Sequence, residues 1–81
     1  MTWLVAYKTA MAAWPEKDEV NRLAITFWFD SLAEDGPPVN FEMDEEGRFY
    51  RAISDDPGNV VEYVLTEIKG HPVIAILRIL D

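Results

Sequence analysis

The stretch VLTEIKGHPVIAILRILD, from Val64 to Asp81, predicts how the chain folds. Two runs of β-branched and aliphatic residues are separated by KGHP, a segment typical of a turn. The second run is apolar on both faces, with Val73, Ala75, Leu77 and Ile79 on one face and Ile74, Ile76 and Leu80 on the other. We therefore predict a β-hairpin whose last strand lies inside a sheet or beneath a partner.

Segments upstream of this hairpin show the same period of two. VNFEM at 39–43 and RFYRAIS at 48–54 alternate between the two faces, and TWLVAYK at 2–8 reads as a further short strand. DEEG and DDPGN lie between the later segments and are rich in turn-forming residues. The pattern predicts an N-terminal strand and a four-stranded antiparallel meander.

One main helix is predicted between these regions, from about Glu16 to Asp35, with GPP immediately after it. TAMAAW, just before it, reads as a helical turn or a linker. ITFWF is also compatible with a strand, but the length and the end signals favour a helix. The apolar residues form two rows: Val20, Leu23, Ala24 and Phe27 in the first, and Ile25, Phe29 and Leu32, with Trp28 between them, in the second. One row is enough for a core, so TAMAAW covers the second row or a partner docks on it. The predicted fold class is α+β, as one domain over residues 1–81.

The charge balance narrows the function classes. Fifteen acidic and seven basic side chains give a formal net charge of −8, which disfavours direct binding to nucleic acid or to an anionic membrane. Such charge serves solubility, or forms an acidic surface for a basic partner or for mimicry of nucleic acid. There is no cysteine, no long apolar run and no basic leader, so we expect a cytoplasmic protein without disulfides.

Metal and cofactor chemistry has little support in the sequence. His71 is the only histidine, and its KGHP context indicates a turn residue. Glu42, Asp44, Glu45 and Glu46 lack the spacing of a calcium loop and read as a solvated turn. No phosphate-binding loop or nucleophile motif is present. We expect no metal site and no cofactor.

The segments MTWLVAYKTAMAAW at 1–14 and FYRAISDDPGNVVEYVLTEIKGHPVIAILRILD at 49–81 resemble the RelE/ParE toxin superfamily. In that family an apolar and aromatic strand runs into a small-residue helix, and the last hairpin joins a tyrosine-containing strand to an aliphatic strand with a basic residue. The resemblance implies an mRNA interferase or a gyrase-binding toxin. It also implies a protein partner, an antitoxin that wraps the toxin through a helix or an added strand.

The chain differs from the interferases at the positions of their catalytic residues. Those enzymes are basic, and their catalytic arginine opens the penultimate strand, where this chain has Asn59 and Val60. Their further basic and tyrosine residues follow the last strand, where this chain has Asp81. Weak catalytic candidates remain in Arg48, Arg51 and Arg78. Since Arg48 and Arg51 are three positions apart, a strand points them to opposite faces, and Arg78 is predicted to pair with Glu62 or Glu67.

The leading hypothesis is therefore a RelE/ParE-like toxin-type or toxin-derived protein that binds a protein partner without nuclease activity. The predicted contact residues are Trp28, Phe29 and Leu32 on the helix and Ile74, Ile76 and Arg78 on the last strand. A homo-oligomer is another way to cover these apolar faces. The alternatives are a small acidic interaction or inhibitor protein of bacterial or phage type, and a degenerate ribonuclease.

Overall fold

A computed structural model describes residues 2–55 and 58–80 of the chain. The elements are β1 (Leu4–Ala6), α1 (Lys8–Ala13), α2 (Glu19–Asp35), β2 (Glu42–Met43), β3 (Tyr50–Ile53), β4 (Val60–Ile68) and β5 (His71–Leu80). The α+β class is confirmed, and TAMAAW contributes a second helix, α1. The predicted DDPGN turn includes Asp56 and Pro57, which lie outside the described residues, as does Asp81.

The strands form one five-stranded sheet in the order β1-β5-β4-β3-β2. Strands β2 to β5 make the predicted antiparallel meander. Strand β1 pairs with β5 in parallel, with Leu4 opposite Val73 and Ala6 opposite Ala75, so the sheet is mixed. The last strand is thus an interior strand, which is one of the two positions that its apolar faces predicted.

The β4–β5 hairpin closes more tightly than the sequence predicted. Its turn is the pair Lys69–Gly70, with φ angles of 51° and 83°, and Ile68 lies opposite His71. Two positive φ angles are typical of a type I′ turn, whose twist matches that of the flanking strands. His71 and Pro72 therefore begin β5, although KGHP as a whole was predicted to be the turn.

A β-bulge changes the predicted faces of β5. Tyr63 lies opposite Ile76 and Glu62 lies opposite Arg78, so Leu77 is the extra residue. The bulge returns Ile79 to the core side of the sheet, where it is buried together with Ile76. The prediction that Val73, Ala75, Leu77 and Ile79 share one face is therefore wrong beyond Ala75.

Both helices contribute to a core on one face of the sheet. The second row of α2 (Ile25, Phe29 and Leu32) packs with Ala10 and Trp14 of the preceding segment. The sheet supplies Ala52, Val61, Tyr63, Ile74, Ile76 and Ile79. Burial of each large apolar side chain contributes about 1.5–3 kcal/mol. On the opposite sheet face, the described side chains are exposed or half-buried except for Val73 and Glu62.

Capping explains where α2 begins and ends. The helix starts at Glu19 rather than Glu16, because the Asp18 carboxylate accepts a hydrogen bond from the Val20 N–H at 2.9 Å. At the other end, Gly36 has a φ of 86° and donates its N–H to the Leu32 carbonyl. A Cβ at Gly36 would lie 3.3 Å from Nε1 of Trp3, so both the φ angle and the close approach require glycine.

Within residues 2–55 and 58–80, no helix is long and apolar enough to cross a membrane.

Candidate protein-interaction surfaces

The structure places most of the predicted contact residues inside the molecule. Phe29, Leu32, Ile74 and Ile76 are core residues with at most 6% exposure. Trp28 is half-buried and packs against the core beside Phe29, with ring centroids 5.6 Å apart. Only Arg78 has an exposed side chain, at 62%. Ala10 and Trp14 cover the second row of α2 within the chain, which is the alternative to a docking partner, and we do not retain the four buried residues as contacts.

The first row of α2 faces outward instead. Val20, Leu23 and Phe27 are 75%, 54% and 63% exposed, and we call these three residues the outer row. Their spacing of three and four positions places them on one stripe of the helix. In a helix whose apolar residues all face a core, these three side chains would be buried. The helix is therefore apolar on two opposite sides, and the described part of the chain covers one of them.

Carboxylates lie at both ends of the outer row. Glu19 is four positions before Leu23, and Asp30 and Glu34 are three and seven positions after Phe27. All three acidic residues are exposed. Residues three, four or seven apart share a helix face, so the apolar stripe has an acidic border. Such a border is electrostatically complementary to basic side chains.

The uncovered face of the sheet carries a row of three charges across its strands. Glu62 is 4% exposed and accepts a 2.8 Å hydrogen bond from Arg78 Nε on β5. Arg51 Nη2 on β3 approaches the other Glu62 oxygen at 3.5 Å. The predicted pairing of Arg78 with Glu62 is confirmed, and this hydrogen bond raises the pKa of Arg78. We call Arg51, Glu62 and Arg78 the charge row.

Arg48 lies apart from the charge row. It precedes β3, in the turn after β2, rather than on the predicted strand. Its Nε lies 3.1 Å from Asp44 Oδ2 and 3.3 Å from Glu46 Oε2. The hydrogen bond from Arg48 lowers the pKa of Asp44. The three catalytic candidates thus do not form one cluster, and each is paired with a carboxylate.

Asn59, at the position where the resemblance would place the interferase arginine, is a structural residue. Asn59 is 8% exposed; its N–H donates to Ser54 Oγ at 2.9 Å, and its Nδ2 donates to the Leu80 carbonyl at 3.2 Å. Asn59 therefore joins the ends of β3, β4 and β5.

His71 is exposed at the start of β5, and no group of three metal-ligating side chains occurs in the described part of the chain.

A groove beside β3 was not predicted. VNFEM was expected to pair along its length, but only Glu42 and Met43 pair with β3. Residues 39–41 diverge and leave an open groove of about 670 Å³ against Arg51, Ala52 and Ile53. Pro37 and Pro38 restrict the backbone just before this segment, and they are the sequence feature that could have indicated this divergence.

Searches with protein-family models, against curated proteins and against solved structures found no match.

Proposed function

We propose that this chain is a RelE/ParE-like protein, of the toxin type or derived from a toxin, that acts by binding a protein partner and does not cleave RNA. The outer row of α2 carries this proposal. Val20, Leu23 and Phe27 are each more than half exposed, and contiguous exposed apolar side chains with a polar rim are typical of protein-binding sites. Phe27 is the aromatic residue of the stripe and is the expected anchor.

The order of elements supports the RelE/ParE part of the proposal. The resemblance implies a strand, a helical segment and then an antiparallel meander, and the chain has β1, two helices and the β2–β5 meander in that order. Strand β1 pairs in parallel with β5, the last strand of the hairpin that carries the resemblance. A fold of this kind is compatible with several functions, so it supports the family and not the target.

The pairing of the arginines supports the absence of nuclease activity. Phosphate binding by several arginines is favoured where their guanidinium groups converge on one site that holds no carboxylate. Arg51 and Arg78 share the buried carboxylate of Glu62, and Arg48 is held by the acidic turn. A phosphate brought to any of these groups would compete with a carboxylate already in place, on a chain with a net charge of −8.

Expression in bacterial hosts tests the proposal. We expect the wild-type chain to arrest growth while total mRNA stays intact, and coexpression of the protein encoded beside it to restore growth. Leu23→Ser with Phe27→Ser should remove the arrest. Ile53→Ser, at a residue 66% exposed on the uncovered sheet face, is the matched control and should retain it. Growth of several hosts at the normal rate would contradict the toxin function, and mRNA cleavage lost in Arg51→Ala and Arg78→Ala would establish the ribonuclease.

The charge of −8 favours a second candidate, a small acidic interaction or inhibitor protein. Such a protein binds a basic target through long-range attraction, which salt screens. Capture of a basic protein whose affinity falls steeply between low and high salt, together with normal growth of expressing hosts, would favour it over the toxin-type protein.

A further inference from the structure

Within residues 2–55 and 58–80, one side of the second half of β4 has no strand beside it. Strand β3 pairs with β4 only from Val60 to Tyr63, whereas β4 continues to Ile68. On its other side β4 is paired with β5 along its whole length. Residues Val64 to Ile68 therefore form a one-sided edge, which we call the open edge. Val64 is half-buried and the other four residues are exposed.

The hairpin turn determines which backbone groups the open edge presents. In a two-residue hairpin the flanking residues, here Ile68 and His71, bond to each other. Hydrogen-bonding direction alternates along an antiparallel strand, so Thr66 and Val64 also point toward β5. Leu65 and Glu67 then point their N–H and C=O groups outward. Tyr63 and Val61 continue the same series, and β3 occupies that side of them.

The open edge lacks most of the features that protect other strand edges. Natural edges are kept short or are interrupted by charged residues, above all lysine, by proline or by a bulge. The outermost strands β1 and β2 have only three and two residues. The open edge reads VLTEI, in which Glu67 is the one charged residue and neither lysine nor proline occurs, and the bulge of this hairpin lies beyond it at Glu62 and Tyr63. A continuous edge of this kind suits strand addition, and its one carboxylate favours an added strand with basic side chains.

We propose that the open edge binds an extended, basic segment of a partner protein, which adds to the sheet as a strand in line with β3. The inference rests on the proposed protein-binding function, but it concerns a site separate from the outer row. Leu65 and Glu67 supply the backbone donors and acceptors. Val64, Thr66 and Ile68 project onto the uncovered sheet face, where alternate side chains of the segment would pack.

Charge decides between a basic segment and a second copy of the chain. Glu67 lies on the edge, and the turn that leads into β3 carries Asp44, Glu45 and Glu46 against a single cation, Arg48. Because the first residue of β3, Tyr50, pairs with Tyr63, that turn is at the end of β3 nearest the open edge. Two copies would bring two chains of net charge −8 together, whereas lysine or arginine on the added segment is attracted.

Amide hydrogen exchange measured by NMR tests the proposal directly. In the free protein we expect the Val64 and Thr66 amides to exchange slowly and the Leu65 and Glu67 amides to exchange fast. The probe is a synthetic peptide of about eight residues that alternates valine or threonine with lysine, which suits an extended conformation. Excess peptide should slow the exchange at Leu65 and Glu67 alone. The same peptide with alternate backbone nitrogens methylated lacks the N–H donors of a strand and should leave the exchange at Leu65 and Glu67 unchanged.

Variants separate the backbone from the side chains. Leu65→Pro removes an outward N–H while the bonds to β5 remain, and we expect it to weaken peptide binding about tenfold or more, a change that corresponds to about 1.4 kcal/mol. Leu65→Ala keeps the N–H and should bind within about threefold of wild type, since the loss is one half-exposed side chain. Glu67→Gln should reduce the salt dependence of binding while the exchange pattern persists.

Three results would overturn the proposal. The first is unchanged exchange at Leu65 and Glu67 with saturating peptide. The second is protection that rises with protein concentration without peptide, which would assign the edge to a second copy. The third is equal binding by Leu65→Pro and Leu65→Ala in proteins that both remain folded by circular dichroism. Loss of growth arrest in the outer-row variant is independent of these results, so the proposed function and this inference can fail separately.

Discussion

Arg22 shows how this small chain uses its few basic residues for structure. Its guanidinium donates to the carbonyls of Met11 at 2.9 Å, Glu16 at 3.0 Å and Trp14 at 3.3 Å. It also lies over the Trp14 ring, 5.7 Å from the centroid. The end of a helix leaves carbonyls without helical partners, and the planar fork of arginine can serve several of them at once. Arg22 therefore fixes the corner between α1 and α2.

Arg22→Ala should lower the free energy of unfolding by about 2–3 kcal/mol, since three hydrogen bonds at about 0.5–1.5 kcal/mol each are lost. Arg22→Lys should recover only part of this, because an ammonium group lacks the fork geometry. Urea unfolding followed by tryptophan fluorescence measures the change. Lys17→Ala, at an exposed position in the same corner, should stay within about 0.5 kcal/mol of wild type. Full stability in the lysine variant would show that charge alone is sufficient.

Side-chain pairs across strands were easier to predict than contacts with carbonyls. The pairing of Arg78 with Glu62 followed from an arginine in an apolar strand and acids on the neighbouring one. Nothing in the sequence marked Arg22, because its partners are backbone carbonyls that every residue carries. The contact depends on the path of the chain from Met11 to Glu16, which is set only when α1 and α2 pack.

At the scale of elements, periodicity predicted the two rows of α2 but not their orientation. Both rows are apolar and aromatic, so their hydrophobicity does not distinguish the inward one. Contacts near the C-terminal end of the helix determine which row faces inward. The Ala33 carbonyl accepts a hydrogen bond from the Trp3 backbone N–H at 2.7 Å, and the ring of Phe29 stacks on that of Tyr7 with centroids 5.0 Å apart. Both contacts join α2 to the β1 segment, more than twenty residues away, which local patterns do not encode.

The strands were predicted well where a turn defined them. The type I′ turn at Lys69 and Gly70 sets the register of β4 and β5, and both strands were placed within a few residues. The bulge at Leu77 and the parallel position of β1 were not predicted. The run from Val73 to Leu77 is apolar on both faces and does not mark a bulge. Arg78 was the available signal, because strict alternation would place it on the core face with Ile74 and Ile76. A parallel contact depends on the crossover through the helices.

The turn between β2 and β3 contains a carboxyl group, that of Asp44, whose titration can be predicted. Arg48 holds the pKa of Asp44 below its ordinary value of 3.8. A carboxyl group with a depressed folded-state pKa stabilises the fold above its unfolded pKa, and this contribution is lost as pH falls through the folded value. In NMR titrations of carboxyl carbons, Asp44 should therefore titrate below pH 3.8 in wild type. Arg48→Ala should raise the pKa of Asp44 toward the ordinary value, and Lys69→Ala, in the other hairpin turn, should leave it unchanged.

At the scale of the whole molecule, exposed apolar surface coexists with a high negative charge. The outer row, Ile53 and Leu77 are all at least half exposed, and apolar surface in such amounts promotes association. A net charge of −8 on 81 residues opposes it. The balance between these two effects depends on ionic strength, because salt screens charge repulsion and leaves apolar attraction in place.

Self-association should therefore increase with salt. The Debye length falls from about 30 Å at 0.01 M to about 10 Å at 0.1 M and 3 Å at 1 M salt, so repulsion between two chains of net charge −8 becomes short-ranged. We expect sedimentation velocity to find monomers at low salt and an association constant at least about tenfold larger at high salt. Leu23→Ser with Phe27→Ser should remain monomeric at both salt concentrations, and Ile53→Ser should associate as wild type does. Association that weakens with salt would mean that ion pairs hold the copies together and would remove the outer row as the contact.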